Sequence, residues 1–112
     1  MIRATTPKHQ FVFNVDPTEF EKILITYKQG DRIVLEKTES DLTFEENTIG
    51  STPDVEYVAW FRLTQEETNL FTTSGSSTYQ VQVRVLTVNG EALASIKKTI
   101  SVDNVLNDEV LV

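Results

Sequence analysis

The stretch from Thr78 to Val102 constrains the fold more than any other part of the sequence. Its first half alternates apolar and polar side chains, and this period of two is typical of a half-buried β-strand. Asn89 and Gly90 come next, and this pair favours the positive φ angles of a two-residue type I′ turn. The apolar residues that would then face one another are Val85 and Ala94, Val83 and Ile96, and Tyr79 and Ile100. The sequence therefore predicts a central antiparallel hairpin.

Lys98 is the mismatch in this register, because it would face the apolar Val81. A β-bulge, or a position at the edge of the sheet, would let the ammonium group reach water. We therefore expect irregular pairing near Lys98.

Alternating segments elsewhere predict further strands, which are joined by short turns. The segments are 9–15, 21–29, 32–38, 42–44 and 55–63, of which 42–44 has the weakest pattern. Asp16-Pro17 predicts a helical turn, and Thr64 with Glu67 has the spacing of a helix capping box. About seven strands with one or two short helical turns predict an all-β fold, an immunoglobulin-like antiparallel β-sandwich. A small open barrel is the alternative.

The length of 112 residues favours a single domain. We assign residues 1–102 to one β-sandwich and residues 103–112 to a last short strand or a tail. This final segment mixes apolar and acidic residues, so as a tail it would need a partner.

The composition excludes several kinds of site. The chain has no cysteine and one histidine, which rules out disulfides, thiolate metal sites and a site built from several imidazoles. A net charge of −7 argues against binding to the phosphates of nucleic acid. No stretch has the apolar length of a signal peptide or a membrane span, so we expect production in the cytoplasm and no membrane insertion.

No set of residues predicts catalysis, a cofactor or a metal. His9 would stand on the polar side of the first strand, without a second imidazole to join it. Glu45, Glu46 and Asp54 lack the spacing of a calcium loop, which favours an acidic surface. Glu66 and Glu67 are adjacent on a predicted helix and point in different directions, so an acid/base pair is disfavoured.

Apolar side chains outside the predicted core are the candidates for contacts with other molecules. The aromatic residues Tyr57, Trp60, Phe61 and Tyr79 are candidates for a carbohydrate platform or a protein contact, and packing in the core of the sandwich is the favoured alternative. Trp60 is the exception, because it lies on the face of its strand opposite Tyr57 and Phe61. The second face of the central hairpin carries Leu86, Val88 and Leu93, and the tail adds Val110 and Leu111. These residues predict either a further covering layer or an assembly surface.

Several segments resemble, in the same order, a group of small proteins encoded by phages and prophages of Gram-positive bacteria. The segments are Arg3-Ala-Thr-Thr-Pro-Lys-His, Ile25-Thr-Tyr-Lys-Gln-Gly, Val34-Leu-Glu-Lys-Thr, Leu63-Thr-Gln-Glu-Glu-Thr, Val81-Gln-Val-Arg-Val-Leu-Thr and Asn89-Gly-Glu-Ala-Leu-Ala-Ser. The resemblance covers most of the chain, with extra residues here around 50–57 and 72–77. It carries no catalytic or cofactor motif.

This resemblance implies a non-enzymatic structural protein of the phage tail or baseplate, with a sandwich similar to the N-terminal module of upper baseplate proteins. Its partners would be other phage structural proteins or copies of itself, and no cofactor is implied. It would be made in the host cytoplasm and assembled into the virion. The alternative is a carbohydrate- or cell-surface-binding module whose ligand is a glycan of the host surface.

Overall fold

The computed structural model describes residues 1–13, 16–48, 55–72, 78–94, 98–103 and 109–112. Within these ranges the chain forms eight β-strands and one short α-helix. The elements are β1 (Lys8–Phe13), β2 (Phe20–Gln29), β3 (Arg32–Thr38), β4 (Thr43–Thr48), β5 (Val55–Arg62), α1 (Gln65–Asn69), β6 (Thr78–Thr87), β7 (Ala92–Ala94) and β8 (Lys98–Ser101). Single 3-10 turns at Pro17–Glu19 and Glu39–Asp41 precede β2 and β4.

The strands form two antiparallel sheets. One has the order β1-β5-β4, and the other has the order β3-β2-β6, with β7 and β8 both pairing with the far side of β6. These are the orders B-E-D and C′-C-F-G of an immunoglobulin-type sandwich. The predicted all-β, immunoglobulin-like fold is therefore confirmed, and β7 and β8 correspond to the single strand predicted after the hairpin turn.

The hairpin turn differs from the predicted two-residue type I′ turn. The Thr87 N–H donates to the Glu91 carbonyl at 2.8 Å, which leaves Val88, Asn89 and Gly90 as a three-residue loop. Gly90 has a φ of +86°, whereas Asn89 is not among the described residues with positive φ. This is the pattern of a type I turn followed by a left-handed glycine, and the predicted turn type is wrong.

The longer loop moves the register of β7 by one residue. Val85 pairs with Leu93 instead of Ala94, whereas the predicted pairs of Tyr79 with Ile100 and of Val81 with Lys98 are present. The register therefore changes between β7 and β8, near Lys98, where an irregularity was expected. The predicted partner of Val83, Ile96, lies outside the described residues, as do Val15 and the predicted loops at 50–54 and 73–77.

Aromatic rings join the two sheets in the core. Phe71, which follows α1, contacts Tyr27 of β2 and Tyr79 of β6 edge to face, with ring centroids 5.5 and 5.0 Å apart. Phe61 of β5 stands edge-on to Tyr27 at 6.4 Å. Each such pair contributes roughly 0.5–1.5 kcal/mol beyond the burial of its area. The other members of the core cluster are Ile23, Ile25, Leu63, Val81, Val83 and Val102.

The connection from β5 to β6 is held by local hydrogen bonds. Thr64 Oγ1 accepts from the Glu67 N–H at 3.1 Å, and Glu67 Oε1 accepts from the Thr64 N–H at 2.9 Å, which confirms the capping box. The Tyr79 hydroxyl, near the start of β6, donates to the Thr72 carbonyl at 2.7 Å. A tyrosine at this corner, bonded to backbone a few residues upstream, is a hallmark of immunoglobulin-like sandwiches.

Candidate functional site

The apolar residues predicted at the hairpin do not share one face. Leu93 pairs with Val85 and therefore lies on the core side of its sheet, yet 51% of it is exposed because β7 is at the edge. Leu86 pairs with Ala92 on one side and Lys22 on the other, which places it on the outer face. Val88 is in the turn and 61% exposed. The three residues surround the end of the hairpin instead of forming one surface, because the register moved by one residue.

A shallow open groove of about 230 Å³ lies on the outer face of the larger sheet. Its lining residues are Lys22, Leu24, Arg84, Val85, Leu86 and Ala92. Leu24 and Leu86 are half-buried, whereas Lys22 and Arg84 are exposed. The groove therefore combines an apolar floor with two cationic side chains, in a chain whose net charge is −7.

The two cations of the groove have different surroundings. Arg84 is paired with Leu24 on β2 and with Ala94 on β7, so neither neighbouring strand places a carboxylate directly opposite it. Lys22 lies near Glu39, whose carboxylate accepts from the Ile23 N–H at 3.1 Å. This bond and the backbone N–H of Glu39 itself, with a smaller contribution from Lys22, hold the pKa of Glu39 below its usual value. Arg84 is thus the cation that faces solvent without a carboxylate across the sheet.

The tail residues lie at α1. The side-chain amide of Gln65 forms two hydrogen bonds with the backbone of Leu111: its Nε2 donates to the carbonyl at 2.9 Å, and its Oε1 accepts from the N–H at 2.7 Å. We call this pair of bonds the Gln65 clamp. The Leu111 side chain remains 76% exposed, and Val110 is half-buried. The clamp therefore holds the backbone of the tail and leaves the apolar side chain of Leu111 in solvent.

Trp60 lies on the outer face of the smaller sheet, as predicted from its position opposite Phe61. Gln10 of β1 and Thr43 of β4 are its cross-strand neighbours. The Lys8 ammonium stands 4.3 Å from the centroid of the ring, within the range of a cation–π contact. The residue is half-buried, and among the described residues its indole Nε1 has no hydrogen-bond partner. The ring is thus accessible in part, with Lys8 close to it.

His9 is half-buried and faces the core side of β1, so the prediction that it stands on the polar side of this strand is wrong. It shares a face with Phe11 and Phe13, because these positions are two residues apart along the strand. Its Nδ1 is 2.5 Å from the Tyr27 hydroxyl, and its ring is 5.9 Å from that of Phe61. Burial lowers the pKa of the imidazole, and the positive charge of the N-terminal amino group adds to this effect.

A lysine of an edge strand points into the same region. Lys37 pairs with the buried Ile25, so its stem lies on the core side of β3, and its ammonium contacts Glu67 Oε2 at 2.5 Å. Burial raises the pKa of Glu67, but the hydrogen bonds from Lys37 and the Thr64 N–H outweigh it and leave the pKa lowered. Burial, followed by the charge of Glu67, raises the pKa of Tyr27. These bonds give Glu67 a structural role in place of the acid/base pair with Glu66.

The acidic residues of the described ranges do not form a metal site. Glu45 and Glu46 are exposed on β4, and Asp54 lies outside these ranges. No three His, Asp or Glu residues among those the structure describes lie close enough together to hold a metal ion. Within the same ranges, no helix has the length and apolarity that are needed to cross a bilayer.

Sequence patterns locate some of these residues and not others. The sequence pattern predicts which residues of β2 and β6 face the core, and Leu24 and Leu86 occupy the positions between them. Because β2 and β6 pair, these two leucines lie on the same outer face of the sheet. Gln65 and Leu111 are 46 positions apart, and no sequence pattern connects them. The sequence matches no protein-family model, and a comparison with curated proteins finds no match.

Proposed function

We propose that this protein is a non-enzymatic structural component of a phage or prophage particle, associated with the tail or baseplate, and that it acts through protein–protein assembly contacts. The observation that carries the proposal is the exposure of large apolar side chains at two places, the hairpin end and the tail. Val88 and Leu93 are 61% and 51% exposed, and Leu111 is 76% exposed. Large apolar side chains left in solvent at these two places would be stabilised by burial against another protein.

The sequence resemblance supports the same proposal, since it relates most of the chain to small proteins from phages of Gram-positive bacteria. A small sandwich with short connections is also a suitable building block, because its strands hold surface residues in fixed positions. Under this proposal the partners are copies of the same chain or other structural proteins of the particle.

The test is the composition of particles induced from the bacterium that carries the gene. After purification by gradient and by size, mass spectrometry should find the protein in a fixed ratio to known tail proteins. Deletion of the gene should give particles whose tail or baseplate is incomplete in negative-stain electron micrographs. Particles that lack the protein, together with normal yield and normal tails after deletion, would refute the proposal.

Trp60 favours a second candidate function, a module that binds a carbohydrate of the host surface. An indole flanked by Gln10 and Thr43 on the outer face of the smaller sheet offers a stacking surface with polar neighbours. Trp60 is the single tryptophan of the chain, so its fluorescence reports on this face alone. A saturable change in emission with host cell-wall polysaccharide, absent from a Trp60→Phe variant in a matched binding assay, would favour this candidate over assembly.

A further inference from the structure

We propose that the groove lined by Lys22, Leu24, Arg84, Leu86 and Ala92 binds the tail segment 109–112 of a second copy of this chain. The inference rests on the proposed assembly function and names the two surfaces that would meet.

The groove and the tail are complementary in charge and in polarity. The groove has half-buried leucines on its floor and the guanidinium of Arg84 without a carboxylate across either neighbouring strand. The segment 109–112 has one acidic side chain, Glu109, followed by three apolar residues, and it contains no lysine or arginine. An acidic and apolar segment therefore meets the chemical requirements of the groove.

The Gln65 clamp makes the tail available to another molecule. Both hydrogen bonds go to the backbone of Leu111, and its side chain is 76% exposed. A segment whose backbone is already fixed loses less conformational entropy on binding than a free tail does. The clamp thus presents the tail for binding in place of burying it.

The groove and the clamp lie at opposite ends of β6. The Tyr79 hydroxyl bonds Thr72, just after α1, which places the start of β6 near the clamp. Arg84 and Leu86 are five to seven residues farther along, about 20 Å at the rise of an extended strand. While Gln65 holds Leu111, the tail lies at α1 and outside the groove of its own molecule. It is placed to contact the groove of the next one.

This geometry predicts a head-to-tail contact. Two grooves facing each other across a two-fold axis would bring Arg84 and Lys22 against the same cations of the partner, which is unfavourable. A contact between two different surfaces of identical chains closes as a ring, of which a two-fold pair that exchanges tails is the smallest, or continues as an open filament. Such an arrangement suits a protein that is repeated around or along a particle.

Complementary variants test the contact directly. A chain that ends at Val102 keeps the groove and lacks the tail, whereas the double variant Lys22→Glu/Arg84→Glu keeps the tail and has a reversed groove charge. Sedimentation velocity should show self-association of the full chain and little of either variant alone. The mixture of the two variants should form a one-to-one complex, because one working contact remains. Arg32→Glu, an exposed arginine at the start of β3, is the matched control and should associate like the full chain.

Cross-linking gives an independent measurement, since the chain contains no cysteine. Chains with Ala92→Cys and with Leu111→Cys, mixed under mild oxidation, should form the mixed disulfide at least about tenfold faster than either forms it with Ser40→Cys, a solvent-exposed control. Gln65→Ala should slow this reaction, and so should high salt, because the first removes the presentation of the tail and the second screens the charges. In the groove chain, Arg84→Glu should slow it as well.

Three results would overturn the inference: a full chain that stays monomeric at high concentration, self-association that persists when Arg84 and Lys22 are reversed, or no preference for the Ala92–Leu111 disulfide. If the protein is nevertheless found in purified particles, the assembly function stands and its contact lies elsewhere. If the contact is found and the particles lack the protein, the reverse conclusion holds.

Discussion

The ammonium group of Lys37 contacts the carboxylate of Glu67 at 2.5 Å, and this ion pair joins the edge strand β3 to α1 across the end of the sandwich. Glu67 also accepts from the backbone N–H of Thr64 in the capping box. The same carboxylate therefore fixes the start of the helix and connects it to the opposite sheet. A lysine directed inward from an edge strand also discourages the pairing of that edge with another chain.

We expect that Glu67→Gln and Lys37→Met each lower the free energy of unfolding by about 2 kcal/mol, because each leaves a partly buried charge without its partner. The double variant should lose less than the sum of the two, since it leaves neither charge behind. Urea unfolding of the three variants measures this coupling. Glu66→Gln, at the exposed neighbouring position, is the control and should change stability by no more than about 0.5 kcal/mol. Additive losses in the double variant would show that the two side chains do not interact.

His9 should make stability depend on pH in the range where histidine titrates. The pKa of its imidazole is lower in the folded protein than the ordinary value of about 6.5, so the unfolded chain binds the proton more tightly. The neutral imidazole therefore contributes fully to the free energy of unfolding above about pH 6.5, and this contribution is lost as the pH falls toward the pKa of His9 in the folded protein. Urea unfolding between about pH 7 and pH 5 should therefore show decreasing stability.

His9→Phe should flatten the profile in this range, because it removes the titrating group and keeps a ring against Phe61. The lowered pKa values of Glu39 and Glu67 act at more acidic pH, below about 4.5, and that part of the profile should remain. A wild-type profile without a slope above pH 5 would contradict the prediction.

Tyr79→Phe removes the hydroxyl that donates to the Thr72 carbonyl and keeps the ring against Phe71. We expect a loss of about 1 kcal/mol, the usual net contribution of one hydrogen bond, with a somewhat larger value if the carbonyl is left without a donor. Tyr57→Phe is the control at a half-buried position outside this corner. Equal stability of Tyr79→Phe and the wild type in thermal unfolding would show that the hydroxyl does not hold the corner.

Gly90→Val should destabilise the hairpin, because a β-branched residue resists the φ of +86° found at this position. There is open space around the glycine, so the cost comes from the backbone conformation and not from a clash. Gly90→Asn should cost less, since asparagine tolerates the left-handed region better than other residues with a Cβ. Thermal unfolding of the two variants measures the difference, and equal effects would contradict this explanation of the turn.

The sequence by itself determined the strands, because alternation along each segment depends on burial of one face and is visible locally. Tyr27, Tyr79 and Phe61 were identified in this way, and the capping box of Thr64 and Glu67 follows from spacing over three residues. His9, Phe11 and Phe13 are two residues apart along β1 and therefore share one face. Alternation alone thus predicts that His9 faces the core, whereas the polar character of its side chain suggests the surface.

The tertiary structure alone decided the features that depend on distant parts of the chain. The identity of Asn89 and Gly90 is compatible with two turn geometries, and pairing of Thr87 with Glu91 selected the three-residue loop that turned Leu93 toward the core side. The clamp between Gln65 and Leu111 and the ion pair between Lys37 and Glu67 join residues that become neighbours only when the sheets pack. Local patterns report which side of a strand is buried, whereas packing and pairing energies decide what each side touches.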